Sequence, residues 1–276
     1  MHAGISMRFG LYANPRTAGL KEVLQPIIEF LGSEKRSSVI YEKELAEYLG
    51  KSGLPFGELD VDILVTVGGD GTILRAFQSC DLPVFAVHAG NVGFLTTVGY
   101  SEAIQGLKRV LEGNYTIEEK LRLKVLLNDK RLPDCTNELT VHTSQIAKIR
   151  SYAVDLDGQT VAHFRADGMI ISTPTGSTSY AMSNGGPILA PGVEAFVLAP
   201  IAPYKLSSRP YVLPPDGNVT VRLLDGDRTS LLVLDGQFEL EVDGNDAIHI
   251  TKSERRSHLV NFGLDFFERV NLRLDH

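Results

Sequence analysis

A β-branched run, Val61-Asp62-Ile63-Leu64-Val65-Thr66-Val67, ends in Gly68-Gly69-Asp70-Gly71-Thr72 and passes directly into Ile73-Leu74-Arg75-Ala76-Phe77. The first segment has the make-up of a buried strand and the last that of a helix start. Strand, glycine turn and helix N-terminus in this order commit the chain to an α/β unit. They also gather unpaired backbone N–H groups at one point, which makes a cradle for an anion. Asp70 is out of place in such a cradle, because a carboxylate beside bound phosphate is repelled unless it binds a metal or takes a proton. It points to chemistry at a phosphate site. On spacing alone a plainer reading stands beside this one, a tight turn in which Asp70 or Thr72 caps the helix. The loop has neither the lysine of GxxxxGK[ST] nor the third glycine of GxGxxG.

Strand and helix patterns alternate around this motif. Arg8 to Ala13 reads as a strand, broken by Asn14-Pro15, and Leu20, Val23, Leu24, Ile27, Ile28 and Leu31 have helical spacing. Ser38 to Tyr41 is a second strand, a helical stretch covers Glu44 to Leu49, Val61 to Val67 is the third strand, and Pro83 to Val87 is the fourth. Ser101-Glu102-Ala103 reads as a helix start with a serine cap. The pattern predicts a Rossmann-like α/β domain, a parallel sheet with helices, over residues 1–115. From there the segments become short and strand-like: 121–127, 148–156, 161–164, 218–224, 231–234 and 238–242. Asn128-Asp129-Lys130, Asp157-Gly158, Asp225-Gly226 and Asp243-Gly244 separate them as turns. Residues 116–258 are expected to form a β-rich, antiparallel, sandwich-like domain, and residues 259–276 to pack back on the first domain.

Composition narrows the function classes. The 276 residues carry 27 Lys plus Arg against 34 Asp plus Glu, a formal charge of −7, which disfavours coating a nucleic acid. Cys80 and Cys135 are the only cysteines and form no CxxC pair, so a zinc site or disulfide framework is not expected and a reducing, cytoplasmic setting fits. No apolar run is long enough to span a bilayer, and residues 1–6 read as an unstructured leader. The histidines show no HExxH spacing, no GxSxG elbow occurs, and Asp243-Gly244-Asn245-Asp246 falls short of an EF-hand loop.

Four further segments have chemical content. Asp167-Gly168-Met169-Ile170-Ile171-Ser172 leads into Thr173-Pro174-Thr175-Gly176-Ser177-Thr178-Ser179-Tyr180, where hydroxyls and loop N–H groups suit ribose, phosphate oxygen and purine edges, or form a solvated Ser/Thr loop. Gly185-Gly186-Pro187 closes a short helix after it. Cys135-Thr136-Asn137-Glu138-Leu139-Thr140-Val141 places a donor–acceptor amide beside a carboxylate able to accept two ribose hydroxyls, or is an ordinary turn or edge position. The proline-rich stretch Ala199 to Pro210 is a stiff connection able to wall a pocket, and Asp235-Gly236-Gln237 is by default a plain turn.

Taken together and in order, GGDGT at 68–72, Asn137-Glu138 and DGMIISTPTGSTSY at 167–180 resemble the NAD kinase family. Gly90-Asn91-Val92-Gly93-Phe94-Leu95-Thr96, Gly185-Gly186-Pro187, the 200–210 segment and Asp235-Gly236-Gln237 extend the resemblance over nearly the whole chain. Lipid and diacylglycerol kinases share a GGDG loop but are not expected to carry TPTGSTSY. The resemblance implies transfer of a phosphoryl group from ATP, or inorganic polyphosphate, to the adenosine ribose 2′-hydroxyl of NAD, with a divalent metal, usually magnesium, accompanying the donor. It implies a homodimer or homotetramer.

Carried over by position, Asp70 takes the family's general-base place, and Gly68, Gly69, Gly71 and Thr72 form the phosphate loop. Gly71 and Arg75 flank the pocket, and Asn137, Glu138 and Gln237 contact the dinucleotide. Arg165 and Asp167 lie near the nicotinamide-ribose half, and Lys148 falls near a basic family position. Thr178, Ser179, Tyr180, Ala181, Met182 and Ser183 hold the adenine and its ribose, and Ala202 reaches the site from a neighbouring subunit. The chain departs from the family at His88, where Asn is usual, at Tyr204, where His is usual, and at Ser179, often Ala. A non-catalytic NAD(P)-binding sensor and a kinase for another hydroxyl acceptor, such as a lipid, are the competing readings.

Overall fold

The structure, a computed structural model, describes residues 6–88, 93–145, 148–226, 228–263 and 266–274. Residues 1–5 of the expected leader and Gly90-Asn91-Val92 of the glycine-rich segment lie outside the described residues. The chain divides into two units, one of residues 1–119 with 257–269, the other of residues 120–256 with 270–276.

The first unit alternates β1 (Met7–Ala13), α1 (Leu20–Ser33), β2 (Ser37–Glu42), α2 (Lys43–Leu49), β3 (Gly53–Leu54), β4 (Ile63–Val67), α3 (Asp70–Ser79), β5 (Val84–His88), β6 (Val98–Gly99) and α4 (Ala103–Leu111). Every pairing among these strands is parallel and the order is β3-β2-β1-β4-β5-β6. The direction in which strands are added reverses between β1 and β4. In open α/β sheets ligands bind at the carboxyl ends of the strands flanking such a reversal, and the glycine loop stands at the carboxyl end of β4. Leu20, Leu24, Ile27 and Leu31, spaced for one helix face, are buried in the same core as Phe9, Leu11, Ile63, Val65 and Phe85.

Two expectations for this unit need correction. The third strand begins at Ile63 rather than Val61: the Asp62 N–H still reaches the Arg8 carbonyl at 2.8 Å, but the Arg8 N–H is taken at 2.7 Å by the Asp62 carboxylate rather than by a backbone carbonyl. Ser101 does not cap α4: a 3-10 turn over Tyr100–Glu102 runs into the helix, whose N-cap is Glu102 with no side-chain bond. The backbone of that turn supplies the start, so no capping hydroxyl is required.

The second unit is antiparallel. β7 (Thr116–Leu127) carries the chain from the first unit into it, followed by β8 (Lys130–Arg131), β9 (Glu138–Thr143), β10 (Arg150–Leu156), β11 (Gln159–Ser172), α5 (Tyr180–Ser183), β12 (Phe196–Pro203), β13 (Tyr211–Leu213), β14 (Val219–Leu223), β15 (Ser230–Leu234), β16 (Phe238–Val242) and β17 (Ile248–Asn261), whose residues from 257 on belong to the first unit, as does α6 (Phe266–Leu274) up to Arg269. β11 is shared by two runs of strands. Residues 159–166 pair with β10, which pairs with β14 and so with β17. Residues 168–172 lie between β9 and β12, giving the order β16-β15-β9-β11-β12-β13. Leu123, Leu139, Val141, Ile171, Leu198 and Leu232 are fully buried in one core between them.

Here too the sequence boundaries shift. The segments expected at 161–164 and 167–172 are one strand, since the backbone ladder continues through Ala166-Asp167-Gly168 where the apolar pattern lapses. The segment at 121–127 starts at Thr116 and that at 148–156 at Arg150. Residues 199–203, expected within a stiff connection, belong to β12; Pro200 is tolerated because β13 pairs only with residues 196–198, leaving its nitrogen on an open edge. Asp157-Gly158 and Asp235-Gly236 make tight hairpin turns with φ of 50° and 83°, and 50° and 66°. Among the described residues no helix is long and apolar enough to cross a membrane.

Gly106 of α4 packs on β5 with no room for a side chain: a Cβ there would lie 2.8 Å from Cζ of Phe85 and 3.3 Å from Phe262. Phe262 stacks edge-on against Phe85 with ring centres 6.0 Å apart, so neither ring has free space. Gly106→Ala gains about 1 kcal/mol in helix propensity but overpacks by about 1–3 kcal/mol. We expect a lower melting temperature by thermal unfolding; a rise, as at a solvent-facing helix glycine, contradicts this packing.

Candidate functional site

In the first unit the site is built around the start of α3. Gly68 ends the β4 ladder by donating its N–H to the Val87 carbonyl at 3.0 Å. A Cβ on Gly68 would fall 2.4 Å from the Thr72 hydroxyl oxygen, so the turn requires glycine. The N-cap is Gly69, and neither Asp70 nor Thr72 caps the helix. The capping reading is therefore overturned, because the Asp70 side chain is engaged elsewhere. Its Oδ2 accepts from the Phe94 N–H at 3.1 Å and its Oδ1 from the Leu95 N–H at 3.2 Å. The carboxylate lies so close over Gly93 that a Cβ there would be 2.0 Å from Oδ1. Residues Asp70 and Gly71, at the first helical positions, have N–H groups without an intrahelical acceptor. A half-buried carboxylate and a helix N-terminus thus share one face.

Arg269 of α6 completes this cluster. Its Nη1 donates to the Phe94 carbonyl at 2.9 Å, and its charge faces Asp70 and Glu118 while burial lowers its own pKa. Arg75, expected to flank the pocket, instead forms an exposed ion pair with Glu44 of α2.

In the second unit, Asn137 and Glu138 sit at the start of β9, between β11 and β15, and are buried; the edge or turn alternative does not hold. Asp235 is no plain turn residue. Its Oδ2 accepts from the Thr136 N–H at 2.7 Å, and its Oδ1 from the N–H groups of Asn137 and Glu138 at 2.8 and 3.0 Å. Charge-assisted bonds of this kind are worth about 1.5–3 kcal/mol each. Burial pushes Asp235 up to about 6, although these three N–H donors and Arg122 oppose the shift. Burial, and then the Asp235 charge, push Glu138 up to about 8. Oε1 of Glu138 takes a long bond from the Ser179 hydroxyl at 3.4 Å. Among the described residues its Oε2 and Oδ1 of Asn137 are buried with no hydrogen-bond partner.

The hydroxyl-rich segment lies against the same residues. Gly176 touches Asn137 so closely that a Cβ would be 2.2 Å from the Asn137 carbonyl oxygen. Its hydroxyls are not a solvated fringe. Thr173 donates to the Thr136 carbonyl at 2.5 Å, Ser177 to Pro174 at 2.7 Å and Thr178 to Thr175 at 3.1 Å. These three fix the loop, leaving Ser179 and the exposed Tyr180, stacked on His142 with ring centres 6.4 Å apart, as its outward polar groups. Ala181 is buried, Met182 is half-buried and Ser183 is exposed.

A second group gathers farther back on β11. Asp167 lies opposite Ala202, between the Ala166–Pro203 and Gly168–Ile201 pairs, and the Arg165 guanidinium stands 5.3 Å over the Tyr204 ring. Ala202 holds φ 44°, a left-handed conformation rare for alanine. Asp167 and Ser172, which pairs with Glu138, are five residues apart, about 17 Å at ~3.3 Å per residue. Lys148 is exposed and joins neither group; Gln237 is exposed, its side-chain amide donating to the Asp235 carbonyl at 3.5 Å.

The comparisons with known proteins agree along the whole chain. The family model for the ATP-NAD kinase N-terminal domain matches residues 9–115 and that for the C-terminal domain residues 136–262. An NAD kinase of Thermoplasma volcanium is 39% identical over 231 residues, 84% of this chain and 85% of its own. One of Methanothermobacter thermautotrophicus is 38% identical over 274 residues, 97% and 96% of the two chains. The chain belongs to the NAD kinase family. Solved structures agree with this membership. A yeast NADH kinase complexed with NADH superposes with a TM-score of 0.87 at 25% identity, covering 99% of this chain and 88% of that one. An NAD kinase from Archaeoglobus fulgidus in complex with ATP gives 0.78 at 30% identity, covering 98% and 99%.

Sequence reasoning overlooked Arg269 and the buried carboxylate of Asp235. The second begins the DGQ motif, so a signal was present; Arg269 has no local pattern to mark it. The close approach of Gly93 to Asp70 generates a test. Gly93→Ala is expected to displace the carboxylate, to lower the melting temperature by the few degrees that about 1–3 kcal/mol of overpacking costs, and to cut NADP formation by the folded protein about 10²-fold, the order that a ~1 Å misplacement of a reacting group costs. Unchanged turnover would show that the carboxylate need not lie where it is seen.

Proposed function

We propose that Asp70 is the general base of this NAD kinase, accepting the proton of the adenosine ribose 2′-hydroxyl of NAD as that oxygen attacks the terminal phosphorus of ATP or polyphosphate. The bond from that phosphorus to the donor's bridging oxygen breaks as the new one forms, leaving NADP and the shortened donor. The observation that carries this reading is the Asp70 carboxylate, fixed by the Phe94 and Leu95 N–H groups beside the open N-terminus of α3. A hydroxyl is a poor nucleophile until its proton has an acceptor, and a carboxylate so held has one defined direction in which to take it. The neighbouring N–H groups of Asp70 and Gly71 supply positive potential for phosphate oxygens, and transfer then rests on positioning and charge stabilisation. Gly68, Gly69 and Thr72 shape that loop.

Asn137 and Glu138 bind the dinucleotide through the two buried oxygens that lack protein partners, Glu138 accepting ribose hydroxyls. Thr178 to Ser183 lie at its adenosine half, with Thr178 acting through the loop it stabilises, and Arg165 and Asp167 at the nicotinamide-ribose half. The separation of these two groups along β11 suits a ligand with two nucleoside ends. Lys148 and Gln237 are assigned peripheral contacts, and Arg75 a contact only after leaving Glu44. Ala202, exposed and conformationally unusual, is assigned to contact across a homo-oligomer. We read the magnesium ion as carried by the donor's phosphates, where it would supply charge neutralisation.

Two outcomes test this. Asp70→Asn should reduce kcat by about 10²–10⁴-fold while the protein still melts and binds NAD as before; a residual rate within a few-fold of the original rules out the base. Glu138 must be ionised to accept two ribose hydroxyls. Since it titrates near 8, NAD affinity should strengthen as pH rises towards and through that value. At pH 7, binding should release a proton, seen by calorimetry in buffers of different ionisation enthalpy. Glu138→Gln should bind more weakly and lose that proton; an unchanged proton count contradicts the assignment.

A further inference from the structure

We infer that Asp235 is a positioning residue for the dinucleotide, its carboxylate locking the backbone of residues 136–138 so that Asn137 Oδ1 and Glu138 Oε2 stand ready for the ligand's donors. The inference rests on the reading above that Asn137 and Glu138 contact NAD.

The geometry is closed on both sides. Three consecutive N–H groups, of Thr136, Asn137 and Glu138, converge on the two Asp235 oxygens at 2.7, 2.8 and 3.0 Å. In return the Asp235 N–H donates to the Glu138 carbonyl at 2.9 Å. The carboxylate thus ties the turn between β15 and β16 to the entry of β9 at the residues that carry the two unpartnered oxygens.

A hairpin turn does not need this. Asp157-Gly158 turns the chain in the same left-handed conformation with an exposed carboxylate that accepts a single backbone N–H, that of Asn218, whereas Asp235 is 4% exposed. Burying a carboxylate is unfavourable unless it is well paired. Here it is offset by bonds to backbone groups that would otherwise be buried without acceptors.

The charges around the pair are few. Glu138 faces Asp235 from the β15–β16 turn and the Ser179 hydroxyl before α5. Asp235 faces Arg122 of β7, and the buried Cys135 thiol lies within reach of Asp235, Glu138 and Asp134. Burial, and after it the Asp235 charge, hold the Glu138 proton on, so removing that charge also moves the pH at which Glu138 becomes an acceptor.

The test uses Asp235→Asn, which keeps the shape but replaces one acceptor oxygen with a donor, and Asp235→Ser, which keeps one small acceptor if the amide cannot be accommodated. They are compared with Asn137→Ala and Glu138→Gln, alone and combined with Asp235→Asn. The expected result is a rise in the KM and Kd for NAD of about tenfold or more, with ATP KM within about twofold and kcat little changed. The Glu138-dependent pH transition in NAD binding should move to lower pH. Added to the Asn137→Ala, Glu138→Gln pair, Asp235→Asn should cost little more, because the oxygens it positions are already gone.

Folded Asp235 variants with the original NAD affinity overturn the inference and leave the role of Asn137 and Glu138 standing, as does full additivity in the combined variant. Asn137→Ala and Glu138→Gln proteins that bind NAD as tightly as the original overturn both.

Discussion

The Asp70 carboxylate, held by the Phe94 and Leu95 N–H groups over the bare Cα of Gly93, is the contact on which the proposed chemistry of the first unit depends. Helix N-termini attract anions, so a carboxylate at the first position of α3 competes with any phosphate brought there. The competition is resolved by direction. Both carboxylate oxygens are turned towards the 93–95 backbone, leaving the N–H groups of Asp70 and Gly71 for a second anion. Arg269, bonded to the Phe94 carbonyl, places a cation against the same segment and offsets the concentration of negative charge.

The second unit solves the opposite problem. Among the described residues it keeps polar oxygens buried and unpaired, which is costly in an apolar sheet unless a ligand meets them. The cost is offset by neighbours that are fully paired: Asp235 satisfies three backbone donors, and the hydroxyls of Thr173, Ser177 and Thr178 satisfy backbone carbonyls. Gly176 gives the loop its close approach to Asn137. Rigid surroundings let Asn137 Oδ1 and Glu138 Oε2 stay without protein partners.

What could be read from the sequence follows from how far each signal reaches. Leu20, Leu24, Ile27 and Leu31 announce α1 by spacing alone, and the Asp-Gly pairs announce their hairpins, because those patterns are local. The GGDGT loop was legible as a strand-to-helix turn for the same reason, and the Asn137-Glu138 pair was singled out only through its resemblance to a family. Asp235 read as a turn because its partners lie nearly a hundred residues earlier in the chain. The hydroxyls of 173–178 divided between ligand-facing and structural roles only once their carbonyl acceptors were placed. Ala166-Asp167-Gly168 interrupts the apolar pattern of β11 although its backbone ladder does not break, which is why one strand read as two. Arg75 was placed beside the pocket by the family resemblance alone; its exposed ion pair with Glu44 of α2, 31 residues earlier in the chain, has no local signal.

The central claim is that Asp70 takes the proton of one particular hydroxyl, and it is tested most directly by the structure of the complete protein with NAD and a non-hydrolysable ATP analogue. The account predicts an Asp70 carboxylate oxygen within hydrogen-bond reach of the adenosine ribose 2′-oxygen, roughly 2.6–3.2 Å, with the Phe94 and Leu95 N–H groups still bound to that carboxylate. A 2′-oxygen beyond that reach and unbridged by water, or one approached by another base, would contradict it.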